Sequence, residues 1–292
     1  MNGIVLIDKP AGCTSHDVVN RWRKLAGTKR VGHLGTLDPM ATGLLALVTG
    51  TATRLAQFYG THEKTYEAEI RLGCISDSYD AEGEVTATGV EVPVPEIVIG
   101  AMDSFRGKFR QTPPPVSAKK IKGVPAYKLA RKQEPVELAP VEVDVEELVV
   151  HRVDNGTIKL TVRCSAGTYI RGIAHDLGQK LGCGAILTSL RRTASGEFHI
   201  SNARTISELE ELASAGRLEA AVIPSAKLLG AFPSAFVDET EQAHIRQGRE
   251  FRTSPFVVPV GSPFVKAISF SGELISIGQL KFANVYHPMI VL

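Results

Sequence analysis

One stretch organises the rest of this sequence: Val31-Gly32-His33-Leu34-Gly35-Thr36-Leu37-Asp38-Pro39-Met40-Ala41-Thr42-Gly43. Its glycines allow backbone conformations that are closed to residues with a Cβ, while Pro39 fixes one φ angle and removes one N–H donor. The stretch holds one imidazole, His33, and one carboxylate, Asp38, and it has no lysine, arginine or glutamate. This composition predicts a constrained loop that holds the side chains of His33 and Asp38 in fixed directions.

Taken alone, Asp38-Pro39 also fits the start of a helix. Aspartate is a preferred N-cap residue, and proline is favoured at the first helical position. On this interpretation Asp38 only caps a helix and has no chemical role. The rest of the chain must decide between the two interpretations.

Length and composition indicate a globular protein with one large domain and one small one. The chain has 292 residues, of which 43% are hydrophobic and 22% charged, so a sizeable core is available. No apolar run approaches the roughly 20 residues that a membrane span needs, and Asp8 and Lys9 interrupt the place where a signal peptide is apolar. We therefore expect a cytoplasmic protein that does not bind a membrane.

The four cysteines are far apart and never in C-x-x-C spacing, which argues against a structural zinc site or a disulfide framework. The sequence also has no P-loop, no G-x-S-x-G and no H-E-x-x-H motif. Redox, metal-hydrolysis and kinase chemistry therefore lack support from motifs. We expect no cofactor and no metal.

Charge is unevenly distributed, although the formal net charge is only +2. No acidic residue lies between Asp103 and Glu134, an interval with nine lysines and arginines, three consecutive prolines and three aromatic residues. A second basic group, residues 21–30, precedes the constrained loop. A charge run is often only a solvated surface, but cations interleaved with aromatic residues favour a surface that binds nucleic-acid backbone.

Hydrophobic periodicity predicts long strands. Thr65 to Leu72 alternates apolar and polar residues, which predicts a half-buried strand with Tyr66 on its core side. Val141 to Val153 and Thr157 to Ser165 flank Asp154-Asn155-Gly156, which is the clearest hairpin signal in the sequence. These strands suit an antiparallel sheet.

Helical signals lie between the strands. Ser15 is a candidate N-cap for a helix that ends at Gly27, and Gly167 opens a helix that ends at Gly182. In the second helix Arg171 falls in the first turn, where a cation is unfavourable to the helix dipole. This placement predicts a specific partner for the Arg171 guanidinium.

Separate helices without regular βαβ repeats predict an α+β fold, a mainly antiparallel mixed sheet flanked by helices. Residues 221–236 contain two prolines and little periodicity, so the domain boundary is expected there. We place the first domain at residues 1–228 and the second at 229–292. The second domain reads as one helix and short strands that form a small β-barrel.

Four residues are candidates for chemistry, namely Asp38, His33, Tyr66 and Arg171. Each has an ordinary explanation when taken singly: a helix cap, a turn or core histidine, a strand residue and a surface cation. Only their combination favours a functional site.

Several separated segments, in the same order along the chain, resemble the TruB family of tRNA pseudouridine synthases. The run from Gly32 to Leu45 resembles the catalytic motif of that family. The other segments are Asp8-Lys9-Pro10-Ala11-Gly12-Cys13-Thr14-Ser15-His16, Lys64-Thr65-Tyr66, Ser117-Ala118-Lys119-Lys120-Ile121-Lys122-Gly123-Val124-Pro125-Ala126-Tyr127, Ser165-Ala166-Gly167-Thr168-Tyr169-Ile170-Arg171 and Leu187-Thr188-Ser189-Leu190-Arg191-Arg192. The resemblance covers about residues 3–195, and the C-terminal domain resembles a PUA domain more loosely. One departure is Leu34, which stands where the family commonly has threonine, so a local change in packing is expected.

The resemblance implies that the protein isomerises uridine 55 in the T-loop of tRNA to pseudouridine without a cofactor. Asp38 would be the ionised nucleophile, and a nearby Arg171 would favour its charge. Tyr66 would stack on the target base and serve the proton transfer at C5. Attack of Asp38 at C6 of the base, attack at C1′ of the sugar and an elimination route all stay open.

The resemblance also assigns residues to substrate binding. His33 would contact bases around the flipped uridine, and Leu190 would pack against the base or Tyr66. The remaining substrate-binding assignments are Tyr169, Lys9, Lys119, Lys120 and Lys122. The expected partner is the T-arm stem-loop of tRNA, and the protein is expected to be a monomer.

Two other functions fit parts of the same sequence. An RNA-binding or RNA-folding protein without catalysis would explain the basic segments. A hydrolase with an aspartate nucleophile would explain Asp38, but it lacks a metal motif or a second carboxylate.

Overall fold

The computed structural model describes residues 1–115, 120–121, 124–125 and 138–292. Its strands are β1 (Gly3–Lys9), β2 (Val31–His33), β3 (Thr42–Thr49), β4 (Lys64–Leu72), β5 (Cys74–Ser76), β6 (Val85–Ala87), β7 (Gly107–Gln111), β8 (Lys120–Ile121), β9 (Val124–Pro125), β10 (Val141–Asp154), β11 (Thr157–Cys164), β12 (Ala185–Ser195), β13 (Phe198–His199), β14 (Val222–Pro224), β15 (Ser234–Val237), β16 (Phe251–Arg252), β17 (Phe264–Ser269), β18 (Leu274–Phe282) and β19 (Val285–Val291). The α-helices are α1 (Ser15–Ala26), α2 (Pro95–Met102), α3 (Ile170–Leu181), α4 (Ile206–Ser214) and α5 (Glu239–Arg246). Short 3₁₀ helices lie at Gly50–Phe58, Asp103–Phe105, Ile200–Asn202, Leu218–Ala221 and Ser225–Lys227.

A ten-stranded sheet forms the frame of the larger part of the molecule. Its main path runs β14-β1-β3-β12-β4-β11-β10-β7, with β2 and β13 paired to β3 and β12. Every pair is antiparallel except β3 with β12, which is parallel. The predicted α+β class with a mainly antiparallel sheet is confirmed. No helix in the described ranges is long and apolar enough to cross a membrane.

Strand β3 is buried on both faces, which explains its continuous apolar sequence. Leu45 and Leu47 point into a core that also contains side chains of α1, β4 and α3. Leu44, Ala46 and Val48 point into a second core on the other face. The constrained loop leads directly into this strand, so its C-terminal end is fixed to the centre of the sheet.

The C-terminal part is a five-stranded sheet in the order β15-β17-β18-β19-β16. Side chains of β17, β18 and β19 enter the second core together with those of β1 and β3. A fully buried aliphatic side chain contributes about 1.5–3 kcal/mol. The shared core therefore fixes the C-terminal sheet on the main sheet.

The connection between the two sheets is also held by a carboxylate. Glu197 accepts hydrogen bonds from the N–H groups of Leu229 and Gly230, each at 3.1 Å, and from the Tyr59 hydroxyl at 2.7 Å. Leu229 has a positive φ of 55°, which is uncommon for leucine. Leu229 and Gly230 lie inside the stretch 221–236, where the sequence predicts a domain boundary.

The structure differs from the sequence-based interpretations at three helix starts. Helix α3 has Tyr169 as its N-cap and begins at Ile170, not at Gly167. The N-cap of α1 is Thr14, not Ser15, because Thr14 and Asp17 form a reciprocal capping box. Asp38-Pro39 starts no helix. The Asp38 carbonyl accepts a turn hydrogen bond from the N–H of Ala41, and strand β3 follows at Thr42. The cap interpretation of Asp38 is therefore excluded.

Candidate active site

Residues from distant segments line one cavity of about 410 Å³. They include six that the sequence assigned to the site: His33, Asp38, Tyr66, Tyr169, Arg171 and Leu190. They come from the end of β2, the loop between β2 and β3, strand β4, the start of α3 and strand β12. The sheet order brings these segments together, because β12 lies between β3 and β4.

Asp38 and Arg171 form an ion pair at this cavity. Arg171 Nε lies 3.1 Å from Asp38 Oδ2, and Arg171 Nη2 donates to Asp38 Oδ1 at 3.4 Å. The guanidinium therefore approaches both carboxylate oxygens. The predicted partner of Arg171, a cation in the first turn of α3, is Asp38.

The surroundings of Asp38 act on its charge in opposite directions. Burial raises the pKa of the Asp38 carboxyl above its usual value, and the Arg171 guanidinium opposes this rise. The side chain of Arg171 is 5% exposed and that of Asp38 is 33% exposed. Among the groups that favour ionisation of Asp38, Arg171 has the largest effect, ahead of Lys9.

A second carboxylate, that of Asp80, also lies beside the Arg171 guanidinium and was not predicted from the sequence. Arg171 Nη1 donates to the Ser78 carbonyl at 3.2 Å and lies 3.8 Å from Asp80 Oδ2. Asp80 is 3% exposed, and the Ser78 hydroxyl donates to its Oδ1 at 2.6 Å. In the sequence Asp80 lies in a polar turn, and nothing local distinguishes a buried carboxylate there from a solvated one.

Tyr66 lies on the core side of β4, as its alternation predicts, and is 7% exposed. Burial raises the pKa of its hydroxyl, while the positive charge of Arg192 acts against that rise. Leu190, on the adjacent strand, is also 7% exposed and lines the same cavity. An apolar wall therefore lies beside the Asp38–Arg171 pair.

Arg192 binds backbone carbonyls of the constrained loop, a role that its sequence context does not indicate. It is 2% exposed, and its guanidinium donates to the carbonyls of Leu44 at 2.7 Å, Gly35 at 3.1 Å and Thr36 at 3.4 Å. Gly43 meets the same strand: a Cβ on it would lie 2.3 Å from the Arg192 carbonyl oxygen. Only glycine fits that position, which also has a φ of 98°.

Ser15 and Gln111 also position parts of the site. The Ser15 hydroxyl accepts from the Leu37 N–H at 2.8 Å and donates to the Leu37 carbonyl at 3.0 Å, next to Asp38. The Gln111 amide holds both backbone groups of Tyr169, each at 2.9 Å. Because Tyr169 is the N-cap of α3, Gln111 helps to position the start of the helix that bears Arg171.

His33 and Leu34 lie at the start of the loop. His33 lines the cavity, burial lowers the pKa of its ring, and its buried Nδ1 has no hydrogen-bond partner among the described residues. Burial of the ring favours its neutral form. Leu34 packs against the second core.

The position of Lys9 does not suit a residue that binds substrate. It is fully buried, and its ammonium donates to the carbonyls of Pro10 at 2.9 Å, Pro39 at 3.1 Å and Ala41 at 2.6 Å. All three donors are used inside the protein. This placement corrects the assignment: Lys9 supports the turn that follows Asp38.

Replacing Lys9 with methionine is expected to lower the free energy of unfolding by about 1–3 kcal/mol, because buried carbonyls lose their donor. Urea denaturation of the full chain measures this change. The matched control is Lys29→Met, since Lys29 is exposed and its loss is expected to change stability by less than about 0.5 kcal/mol. Equal effects of the two substitutions would contradict a supporting role for Lys9.

The predicted phosphate-binding lysines are not placed by the structure. Lys119 and Lys122 lie outside the described residues, and for Lys120 only its membership of β8 is described.

The chain is similar to known proteins over its whole length. Residues 23–170 match the N-terminal domain of the TruB family of pseudouridylate synthases, and residues 171–229 match the tRNA pseudouridylate synthase B C-terminal domain. The tRNA pseudouridine synthase B of Solibacter usitatus (strain Ellin6076) is 54% identical, and the similarity covers 100% of both chains. That of Opitutus terrae (strain DSM 11246 / JCM 15787 / PB90-1) is 48% identical over 73% of this chain and 88% of its own.

Solved structures share the fold. A chain from an H/ACA RNP bound to a substrate RNA containing 2′-deoxyuridine has a TM-score of 0.72 at 23% identity, covering 99% of this chain and 84% of that one. A chain from a Cbf5-Nop10-Gar1 complex has a TM-score of 0.71 at 25% identity, covering 98% and 83%. The match to the family model over residues 23–170 and the full-length sequence similarity show that the chain belongs to the TruB family of pseudouridylate synthases.

Proposed function

We propose that this protein isomerises uridine 55 in the T-loop of tRNA to pseudouridine. The observation that carries the proposal is the Asp38–Arg171 ion pair at a cavity that Tyr66, Leu190 and His33 also line. The reaction breaks the bond from N1 of uracil to C1′ of ribose and forms a bond from C5 to C1′. C5 loses its proton and N1 gains one, so atoms and electrons balance without a co-reactant.

The cavity suits a single flipped nucleotide. Its volume of about 410 Å³ falls in the range of roughly 300–1,000 Å³ that is usual for small-ligand sites. Extruding a base from a folded loop costs about a few kcal/mol. Stacking on Tyr66 and packing against Leu190 would offset part of that cost, and His33 would contact the bases left behind.

In this mechanism the Asp38 carboxylate is the nucleophile, at C6 of the base or at C1′ of the sugar. Arg171 keeps it charged and directs its oxygens. Tyr66 would stack on the base and serve the removal of the proton from C5 once the new bond has formed. Tyr169 flanks the nucleotide at the start of α3.

The remaining parts would hold the tRNA. We assign residues 1–228 to catalysis and 229–292 to a PUA-like RNA-binding module that contacts tRNA away from the target. Lys119, Lys120 and Lys122 would contact phosphates of the T-arm. The protein would act in the cytoplasm as a monomer.

The test uses an unmodified T-arm stem-loop that carries tritium at C5 of the target uridine. Because C5 loses its proton when the new bond forms, the purified full chain is expected to release tritium, with EDTA present. The same stem-loop with tritiated cytidine at the target position is the control and should release none. Failure to release tritium from the uridine stem-loop, with binding intact, would favour RNA binding without catalysis.

A further inference from the structure

Two successive turns of helix α3 face the loop between β5 and β6. Arg171 and His175 are four residues apart, so they lie above one another on the same face of the helix. Ser78 and Asp80 bind the guanidinium of Arg171. Between them in the sequence, Tyr79 contacts the next turn.

The contact of Tyr79 is an aromatic stack on His175. The ring centroids are 3.7 Å apart and the ring planes differ by 10°. The two rings are only partly exposed, and burial lowers the pKa of His175, which favours its neutral form. The stack therefore joins a neutral imidazole to a phenol across two different elements.

The backbone of Tyr79 is in a conformation that tyrosine disfavours. Its φ is 68°, in the left-handed region where glycine is the usual residue. The neighbouring peptide groups are fixed, since the Leu187 N–H donates to the Tyr79 carbonyl and the Ala81 N–H donates to the Leu187 carbonyl, each at 3.0 Å. The local backbone thus favours glycine at this position. The stack on His175 is a contact that stabilises an aromatic side chain there.

The loop residues 78–80 contact two successive turns on one face of helix α3. Ser78 and Asp80 contact the side chain of Arg171, and Tyr79 contacts the side chain of His175 one turn further along. A rotation or slide of α3 that moved Arg171 away from Asp38 would have to break the stack. The stack is thus placed to fix the direction of the guanidinium.

We propose that Tyr79 and His175 are positioning residues, whose stack holds helix α3 so that Arg171 stays aligned with Asp38. Neither residue lines the cavity, so neither is expected to touch the nucleotide. The alignment is a property of the free protein. Its effect on the rate rests on the proposed function.

Three substitutions separate the stack from the backbone strain. Tyr79→Gly removes the ring and also relieves the positive φ. The midpoint of thermal unfolding should therefore fall less than it would if a buried side chain were lost without relief of backbone strain. Tyr79→Phe keeps both the ring and the strain. His175→Ala removes the stack from the helix side and leaves the loop sequence intact.

The first readout is independent of catalysis. The ¹³C signal of the Asp38 carboxyl in the free, full-length protein, identified by its loss in Asp38→Asn, reports the pKa of that group. We expect this pKa to be higher in Tyr79→Gly and in His175→Ala than in the wild type, because Arg171 is less well aligned. It should be unchanged in Tyr79→Phe. An unchanged Asp38 titration in both ring-deleted proteins would overturn the proposal, whatever the enzyme does to RNA.

The second readout is the single-turnover rate with saturating enzyme. Tyr79→Gly and His175→Ala are expected to lower it by about 10- to 100-fold with RNA affinity unchanged, as for a sub-ångström to ångström displacement of a reacting group. The double variant should be no slower than either single one, since both remove the same contact. If the rate losses of the two single variants added in the double variant, or if the rate fell in proportion to the midpoint of thermal unfolding, the two residues would have only a structural role.

Discussion

Asp38→Asn is expected to lower the rate of uridine conversion by at least about 10⁴-fold, the scale on which loss of a nucleophile reduces turnover. Asparagine has the same shape and keeps an oxygen that accepts a hydrogen bond from Arg171, but it carries no negative charge. RNA affinity should change little, because the side chain is one small part of the contact surface. Single-turnover tritium release measures the rate, and filter binding at fixed salt measures the affinity.

Asp154→Asn is the matched control for this substitution. Asp154 is also paired with an arginine, Arg152, but both side chains are largely solvated. Exposed pairs contribute about 0–1 kcal/mol, so conversion should be unaffected. Undiminished conversion by Asp38→Asn would remove the nucleophile from the mechanism.

The second large effect is expected from Arg171→Lys. Lysine keeps one positive charge but cannot approach both oxygens of Asp38 and also donate to the Ser78 carbonyl. At neutral pH the rate is expected to fall by about 10²- to 10³-fold, as for removal of one preorganised donor at a reacting group. The measurement is the single-turnover rate across pH 5–9.

The pH dependence gives this prediction its sign. Burial raises the pKa of Asp38, and Arg171 opposes the rise. With the guanidinium gone, the pKa rises further, so a smaller fraction of Asp38 is ionised at any pH on the acid side. The acid limb of the pH–rate profile should therefore move to higher pH, and part of the lost rate should return as the pH is raised.

Arg163→Lys provides the comparison for Arg171→Lys. Arg163 contacts Glu146 and Glu147 at the surface and lies outside the cavity. Its replacement should leave the profile in place. A profile of Arg171→Lys that keeps the acid limb of the wild type would contradict control of the Asp38 charge by Arg171.

Several elements were predictable because their signal is local. Alternation with a period of two assigns each residue of β4 to a face, so Tyr66 had to point to the core. Asn155 and Gly156 both have a positive φ at the tip of the β10–β11 hairpin, as the sequence predicts. Gly182 ends α3 in the left-handed conformation.

Elsewhere, several local structures satisfied the same short sequence. Thr14 and Ser15 could each cap α1, and the capping box with Asp17 selects Thr14. That choice leaves the Ser15 hydroxyl for Leu37 in the constrained loop. Asp38-Pro39 suits a helix start, but the buried Lys9 binds the carbonyls of Pro39 and Ala41 and holds a turn instead.

The sequence by itself determined the long strands β4, β10 and β11, the glycine-bearing loop and, through the order of its motifs, the family to which the chain belongs. It also indicated that Arg171 needs a partner. Tertiary structure alone decided which charges are buried and what they bind: Lys9 on loop carbonyls, Arg192 beneath the loop, and Asp80 behind Arg171. The physical reason is that periodicity encodes the face of a residue, whereas desolvation of a charge depends on segments far away in the chain.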